Sequence, residues 1–235
     1  MKYPFISVII PSLNEENYIE NTLKAIKNQS YSGKYEIIVA DGMSKDKTVE
    51  IAKKYTKNVI IIKNKGIAIG RNAGASKAQG KILVFIDSDT IPSPNLFSGI
   101  VKIFKNKNIV GAACKLYPIE SDRSIRRLYK FYNKFMKLTI KLNKASIPGV
   151  CCIYRKSIFE RIGGFDERLH TFEDVDFSLR ANKLGKIVML KDTFALTSGR
   201  RIKSWGAANA FISYLFNFFK FYLTGRGYTE DQYKS

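Results

Sequence analysis

Three acidic groupings in this chain have residue types and spacings suited to chemistry. Asp87-Ser88-Asp89 places two carboxylates one residue apart, directly after an apolar run. Such a pair can lean on one divalent cation. Hard oxygen ligands suit Mg²⁺ or Mn²⁺, and either ion can bridge a diphosphate. The competing reading is a turn or a helix cap, roles that Asp and Ser also fill. Asp41 ends the run YEIIVA and precedes Gly42. A carboxylate there can accept hydrogen bonds from a ribose or a nucleobase, or it can close a turn. Glu173-Asp174 opens a helix-like segment. These two either complement the helix dipole or supply a general base beside a reacting hydroxyl.

Such groups need a scaffold that brings them together. Phe5–Ile10, Tyr35–Ala40, Asn58–Lys63 and Lys81–Ile86 are short, apolar and β-rich, so each reads as a buried strand. Helical segments alternate with them over Asn14–Gln29, Val49–Lys57 and Gly66–Gln79. This alternation predicts a mainly parallel α/β sheet covered by helices on both faces. Ligands in such sheets sit at the carboxyl ends of the strands. Those ends carry Pro11 to Glu15, Asp41-Gly42, Lys63 to Lys65 and Asp87 to Asp89, so polar and acidic groups converge on one rim. Further on, Val150–Tyr154 and Ile187–Leu190 read as strands, and Lys156–Gly164 and the stretch to Leu184 as helices.

Composition narrows the partners. The chain has 235 residues, enough to bury a core without disulfide or metal staples. Its 40 Lys and Arg outnumber 20 Asp and Glu, leaving a net charge of +20. That surplus predicts a polyanionic partner: a nucleic acid, an anionic membrane surface or a phosphate-bearing substrate. Cys114, Cys151 and Cys152 lack the spacing of a zinc or thioredoxin-like site and read as buried, reduced thiols in a cytoplasmic setting. The first residues lack a signal peptide's long apolar region, and no run of apolar residues is long enough to span a membrane. His170 is the one histidine, which excludes histidine-rich metal sites.

The middle of the chain holds much of the charge. Asp122–Lys144 contains eight basic residues: Arg123, Arg126, Arg127, Lys130, Lys134, Lys137, Lys141 and Lys144. On a helix they fall within an arc of about 100°, with Ile125, Leu128, Tyr132, Phe135, Met136 and Leu142 on the other side. This basic amphipathic helix suits either an anionic membrane surface or a core-packed position with a solvated face. Ala207 to Leu223 is rich in Phe, Tyr and Leu with a narrow polar stripe, and reads as a C-terminal aromatic helix.

The succession ISVIIPSLNEE, VADGMSKDKT, RNAGASKAQG, ILVFIDSDT, GGFDERL and FEDVDFSLR resembles the family 2 glycosyltransferases, which have the GT-A nucleotide-sugar-binding fold. The resemblance covers about residues 5 to 205. It implies one domain over 1–205, with a nucleotide-sugar-binding half (1–116) and an acceptor-binding half (117–205), followed by an aromatic tail (206–235). It also implies roles. Pro11, Leu13 and Glu15 would line the base and ribose pocket, with Val39 and Asp41 opposite. Arg71 would lie near the donor phosphates or hold Asp41. Asp87, with Ser88 beside it, would contact the sugar or ribose and join Asp89 at the metal, Mn²⁺ or Mg²⁺. Asp174 would be the general base and Glu173 would help position the acceptor. Gly149 and Trp205 would border that acceptor, and Arg200 and Arg201 would neutralise the diphosphate.

The implied reaction inverts the anomeric centre in one displacement from a UDP- or GDP-linked sugar. Processive members carry a Q/RxxRW motif; here Arg201-Ile202-Lys203-Ser204-Trp205 has Ser204 in place of the second Arg, which implies a non-processive enzyme. A polyprenyl phosphate or glycan acceptor would suit the basic and aromatic helices, with the protein peripheral on the inner face of the cell membrane. The acidic rim argues against nucleic acid, whose phosphates it would repel. A catalytically inactive sugar-nucleotide-binding scaffold is the remaining alternative.

Overall fold

The computed structural model describes residues 4–64, 66–120 and 122–205, and within the tail residues 216, 218, 221 and 224. The expected aromatic helix over 207–223 and the rest of the tail otherwise lie outside the described residues. The elements run β1 (Ile6–Ser12), α1 (Ile19–Lys27), β2 (Tyr35–Asp41), α2 (Thr48–Lys53), β3 (Asn58–Ile61), α3 (Ile67–Lys77), β4 (Ile82–Ile86), β5 (Thr90–Pro92), α4 (Leu96–Phe104) and β6 (Ile109–Pro118). There follow α5 (Arg123–Lys141), β7 (Cys151–Arg155), α6 (Lys156–Ile162), α7 (Glu173–Asn182), β8 (Lys186–Thr197) and α8 (Arg200–Trp205).

Among the described residues the strands form one sheet in the order β3-β2-β1-β4-β7-β6-β8-β5. The first four are parallel, as the apolar runs predict. β7 then pairs antiparallel with both β4 and β6, while β6 and β8 are parallel and β5 closes the edge antiparallel to β8. The second half is therefore mixed, and the expected nucleotide and acceptor halves share one continuous sheet.

Strand side chains alternate between two faces. Ile6, Val8 and Ile10 of β1 pack with Leu23 and Ile26 of α1 and Phe97 and Ile100 of α4. Ile9 faces the other way, toward Ala68 and Ala75 of α3 and Phe159, Phe165 and Phe177. Gly74 lets α3 lie directly on β1: a Cβ there would stand 2.4 Å from Ile9 Cγ2. The whole basic helix α5 serves both layers, with Ile125 and Tyr129 in the first and Met136 in the second.

The starts of two helices have identifiable causes. α1 begins at Ile19 rather than Asn14, because the preceding loop is tied to the one after β2. Asn14 has φ 54°, and its backbone N–H donates to Ser44 Oγ, while those of Glu15 and Glu16 donate to Thr48 Oγ1 and Asp46 Oδ2. α5 begins at Arg123 because the Asp122 carboxylate caps it, accepting from the N–H groups of Ser124 and Ile125 at 2.7 and 3.0 Å. No helix among the described residues is long and apolar enough to cross a membrane.

Candidate active site

The carboxyl ends of β1, β2 and β4 meet on one rim, and each acidic group there has a distinct setting. Asp41 is fully buried. Its Oδ2 accepts from the hydroxyls of Ser12 (2.9 Å) and Ser44 (2.6 Å), and its Oδ1 from the Ser44 N–H (2.7 Å). The side chain therefore fixes the loop after β2. Val39 is likewise wholly buried, packed in the core rather than lining an open wall. Pro11 is buried too, and Leu13 is 44% exposed at the rim.

Asp87 and Asp89 follow β4. The side chains are 24% and 15% exposed, so both carboxylates border solvent. Ser88 between them is buried, and its carbonyl accepts from Thr22 Oγ1 of α1 at 2.8 Å, which pins the turn. Asp87 Oδ1 is committed to Arg71 Nη2 at 2.9 Å.

Arg71 is the hub. It rises from α3, is 1% exposed, and its Nη1 reaches Glu173 Oε1 of α7 at 2.6 Å. The expected contact with Asp41 does not form: that carboxylate accepts from Ser12 and Ser44 instead, while Asp87 and Glu173 hold the guanidinium. Burial works against the Arg71 charge, and the two carboxylates overcome it. The guanidinium is thus an interior strut with no open face toward donor phosphates. Gly149 makes room for it, since a Cβ there would stand 2.1 Å from Nη2. Gly149 was expected beside the acceptor; here its backbone touches both the hub and the base candidate.

That candidate, Asp174, lies in the first turn of α7. Its Oδ2 accepts from the Gly149 N–H at 2.6 Å and its Oδ1 from the Val175 N–H at 2.7 Å. Phe172 precedes the helix at φ 65°, in the left-handed region, which turns the chain sharply into α7. Burial and the neighbouring Asp174 carboxylate push Glu173 up to about 7, against the pull of Arg71. Burial also raises Asp174, while Arg71 and the two N–H groups hold it down. Two adjacent carboxyls that burial pushes upward, Glu173 to about 7, are suited to moving a proton.

α8 brings Arg200 to this rim. Its Nη2 lies 2.5 Å from Glu15 Oε1 and 3.4 Å from Asp89 Oδ2. The side chains of Arg201 and Trp205 lie outside the described residues. His170 is exposed, and the three cysteines are free and buried. Among the described residues no cluster of three or more His, Cys, Asp or Glu could cage a metal alone. Asp87 and Asp89 fit a cation that takes its other ligands from an anionic substrate, as Mg²⁺ commonly does.

The fold built around these carboxylates is that of the GT-A glycosyltransferases. A mannosyltransferase from Pyrobaculum calidifontis, solved with GDP-mannose and Mn²⁺, superposes with a TM-score of 0.71 at 22% identity, covering 84% of this chain and 58% of that one. TarS from S. aureus in complex with UDP-GlcNAc superposes with a TM-score of 0.67 at 23% identity, over 84% of this chain and 59% of that one. The sequence narrows the class: residues 7–163 match the family model of glycosyl transferase family 2, and the chain belongs to that family. It is 32% identical over 192 residues to the glycosyltransferase AglE of Haloferax volcanii, covering 77% of this chain and 62% of AglE. It spans only 36% of YfnE from Bacillus subtilis, at 32% identity over 149 residues. The matched part of this chain thus spans less than two thirds of the length of these relatives.

Proposed function

We propose that the chain is an inverting, metal-dependent, non-processive glycosyltransferase that moves a sugar from a UDP- or GDP-linked donor to an acceptor hydroxyl. The observation that carries this is the Asp87–Arg71–Glu173 strut. It joins the end of β4 to the helix turn bearing Asp174, so that donor-side and acceptor-side carboxylates share one rigid support. Asp174 takes the proton of the acceptor hydroxyl as its oxygen attacks the anomeric carbon. Glu173, held by Arg71, fixes the turn. Attack from the face opposite the leaving diphosphate inverts the centre through an oxocarbenium-like transition state. Asp89 and Asp87 would hold Mg²⁺ or Mn²⁺, which supplies charge stabilisation for the departing diphosphate. A lipid-phosphate acceptor, already anionic at neutral pH, would have no need of such a base, so the raised carboxyl pair favours a hydroxyl. Thermal unfolding with UDP, GDP and dTDP tests the donor: one nucleotide should raise Tm by several degrees with Mn²⁺ and much less without it, by mass action. No shift with any of them sinks the reading.

The same reading places the protein at an anionic membrane surface. The structure divides α5 into three sectors. Ile125, Tyr129, Met136 and Thr139 are buried. The basic residues are exposed. Between them runs an exposed apolar strip, with Leu138 52% and Leu142 60% exposed and Phe131 at 45%. Leu142 was expected on the buried side; the helix instead ends beside it, and it faces outward. An apolar strip flanking a basic one is the pattern of an interfacial helix. Phosphatidylserine-rich vesicles should bind the protein at low salt. A triple variant with Lys130, Lys134 and Lys137 changed to Gln should bind roughly 100-fold more weakly, at about 1 kcal/mol per charge. Equal binding by the triple variant in flotation assays would refute the orientation.

A further inference from the structure

Arg200 joins two loops that each present a carboxylate to the rim. It meets Glu15 Oε1, from the loop after β1, at 2.5 Å, and Asp89 Oδ2, from the loop after β4, at 3.4 Å. Its guanidinium also lies over the Tyr18 ring, 4.5 Å from the centroid. Glu15 and Asp89 are 13% and 15% exposed and Arg200 34%, so the contact is only partly screened by water. Glu15 Oε2 is buried and finds no hydrogen-bond partner among the described residues, which leaves this carboxylate strongly dependent on Arg200.

Asp89 Oδ2 is also an oxygen that a cation on the Asp87–Asp89 pair would use. Two positive groups at one carboxylate repel, so guanidinium and cation compete there. A diphosphate offers the guanidinium a better partner, because its oxygens match the planar fork and form charge-assisted hydrogen bonds. We propose that Arg200 and a divalent cation exclude one another at Asp89, and that Arg200 exchanges Asp89 for the diphosphate of the incoming nucleotide. The cation alone then binds poorly, and cation and nucleotide bind as a pair. This rests on the nucleotide-sugar reading above and adds the residue that sets the order of binding.

The test is a titration of Mn²⁺ into the full chain, following free Mn²⁺ by electron paramagnetic resonance. It is run for wild type, Arg200→Gln and Arg200→Lys, alone and with UDP or GDP. In Arg200→Gln, Mn²⁺ alone should bind about tenfold more tightly, the scale of removing one partly screened charge. The gain in Mn²⁺ affinity on adding nucleotide should shrink by a similar factor, and by linkage so should the gain in nucleotide affinity on adding Mn²⁺. Arg200→Lys, which keeps the charge, should bind Mn²⁺ alone as wild type does. Unchanged Mn²⁺ affinity in Arg200→Gln overturns the exclusion. An undiminished nucleotide effect in that variant overturns the exchange. If Mn²⁺ affinity rises in Arg200→Gln and no nucleotide strengthens it in any protein, exclusion stands and the nucleotide-sugar reading fails.

Discussion

Asp174→Asn should lower turnover by roughly 10³-fold while donor affinity changes less than about twofold, the signature of losing a proton acceptor rather than a binding contact. The substitution is nearly isosteric but removes the charge. Both carboxylate oxygens accept from N–H groups, Oδ2 from Gly149 and Oδ1 from Val175. An Asn amide therefore turns its NH₂ toward one of those donors, at a cost of about 1–3 kcal/mol in stability. The folded variant still has the rim intact, so nucleotide binding is the internal control. Wild-type kcat/KM should fall as pH drops below about 7, because Glu173 is pushed to that value and the pair takes up a proton there. Glu173→Gln removes the neighbouring acid and leaves Arg71 to act on Asp174, so the acid limb moves to lower pH. Turnover within tenfold of wild type, or loss of donor binding in Asp174→Asn, would show that the base is another group.

The second large effect is on folding. Arg71→Met should destabilise the protein by about 3–5 kcal/mol, since it strands the buried Glu173 carboxyl and takes the partner from Asp87. For a chain of this size that corresponds to roughly 6–20 °C in Tm. Arg71→Lys should recover little, because a single ammonium cannot serve Asp87 and Glu173 from the guanidinium's two nitrogens. The pH dependence has a definite sign. Glu173's folded value already lies above the ordinary 4.5, so between these values the native state keeps a proton that the unfolded chain has lost. That contribution to stability is present below 4.5 and is lost as pH rises through about 7. Removing Arg71 raises the folded value further, so the variant's deficit should be small in acid and grow toward neutrality. Adding Glu173→Gln to Arg71→Met should restore part of the loss in urea denaturation. A deficit independent of pH would argue against a charge origin.

The parallel half of the sheet was legible because β1, β2 and β4 are unbroken apolar runs, each ending in a polar signal. The rim followed from those ends. The segment from β5 through β6 carries little local signal: Ile109–Pro118 mixes Gly, Ala and Cys with few β-formers, and its strand character comes from partners later in the chain. Arg71's partners were hidden for a similar reason. The motif drew attention to the residue, but Glu173 lies 102 positions away, and only the tertiary fold brings their charges together. Ser44, three residues past Asp41, is its local donor, and the sequence carries that signal only in the Asp-Gly turn that brings the two together. The outward turn of Leu142 depends on where α5 stops, a boundary that periodicity alone places poorly.

The insertion of β7 between β4 and β6 governs how the molecule is made. β1 through β4 can pair as soon as they leave the ribosome, but the free edge of β4, Ile82–Ile86, is entirely buried in the finished sheet. Its covering strand is Cys151–Arg155, which cannot arrive until more than sixty further residues have been synthesised. At roughly 5–20 residues per second the nascent chain carries an open, apolar β edge for several seconds. Late closure of this seam leaves the nascent chain open to chaperone capture and edge-to-edge pairing until β7 emerges.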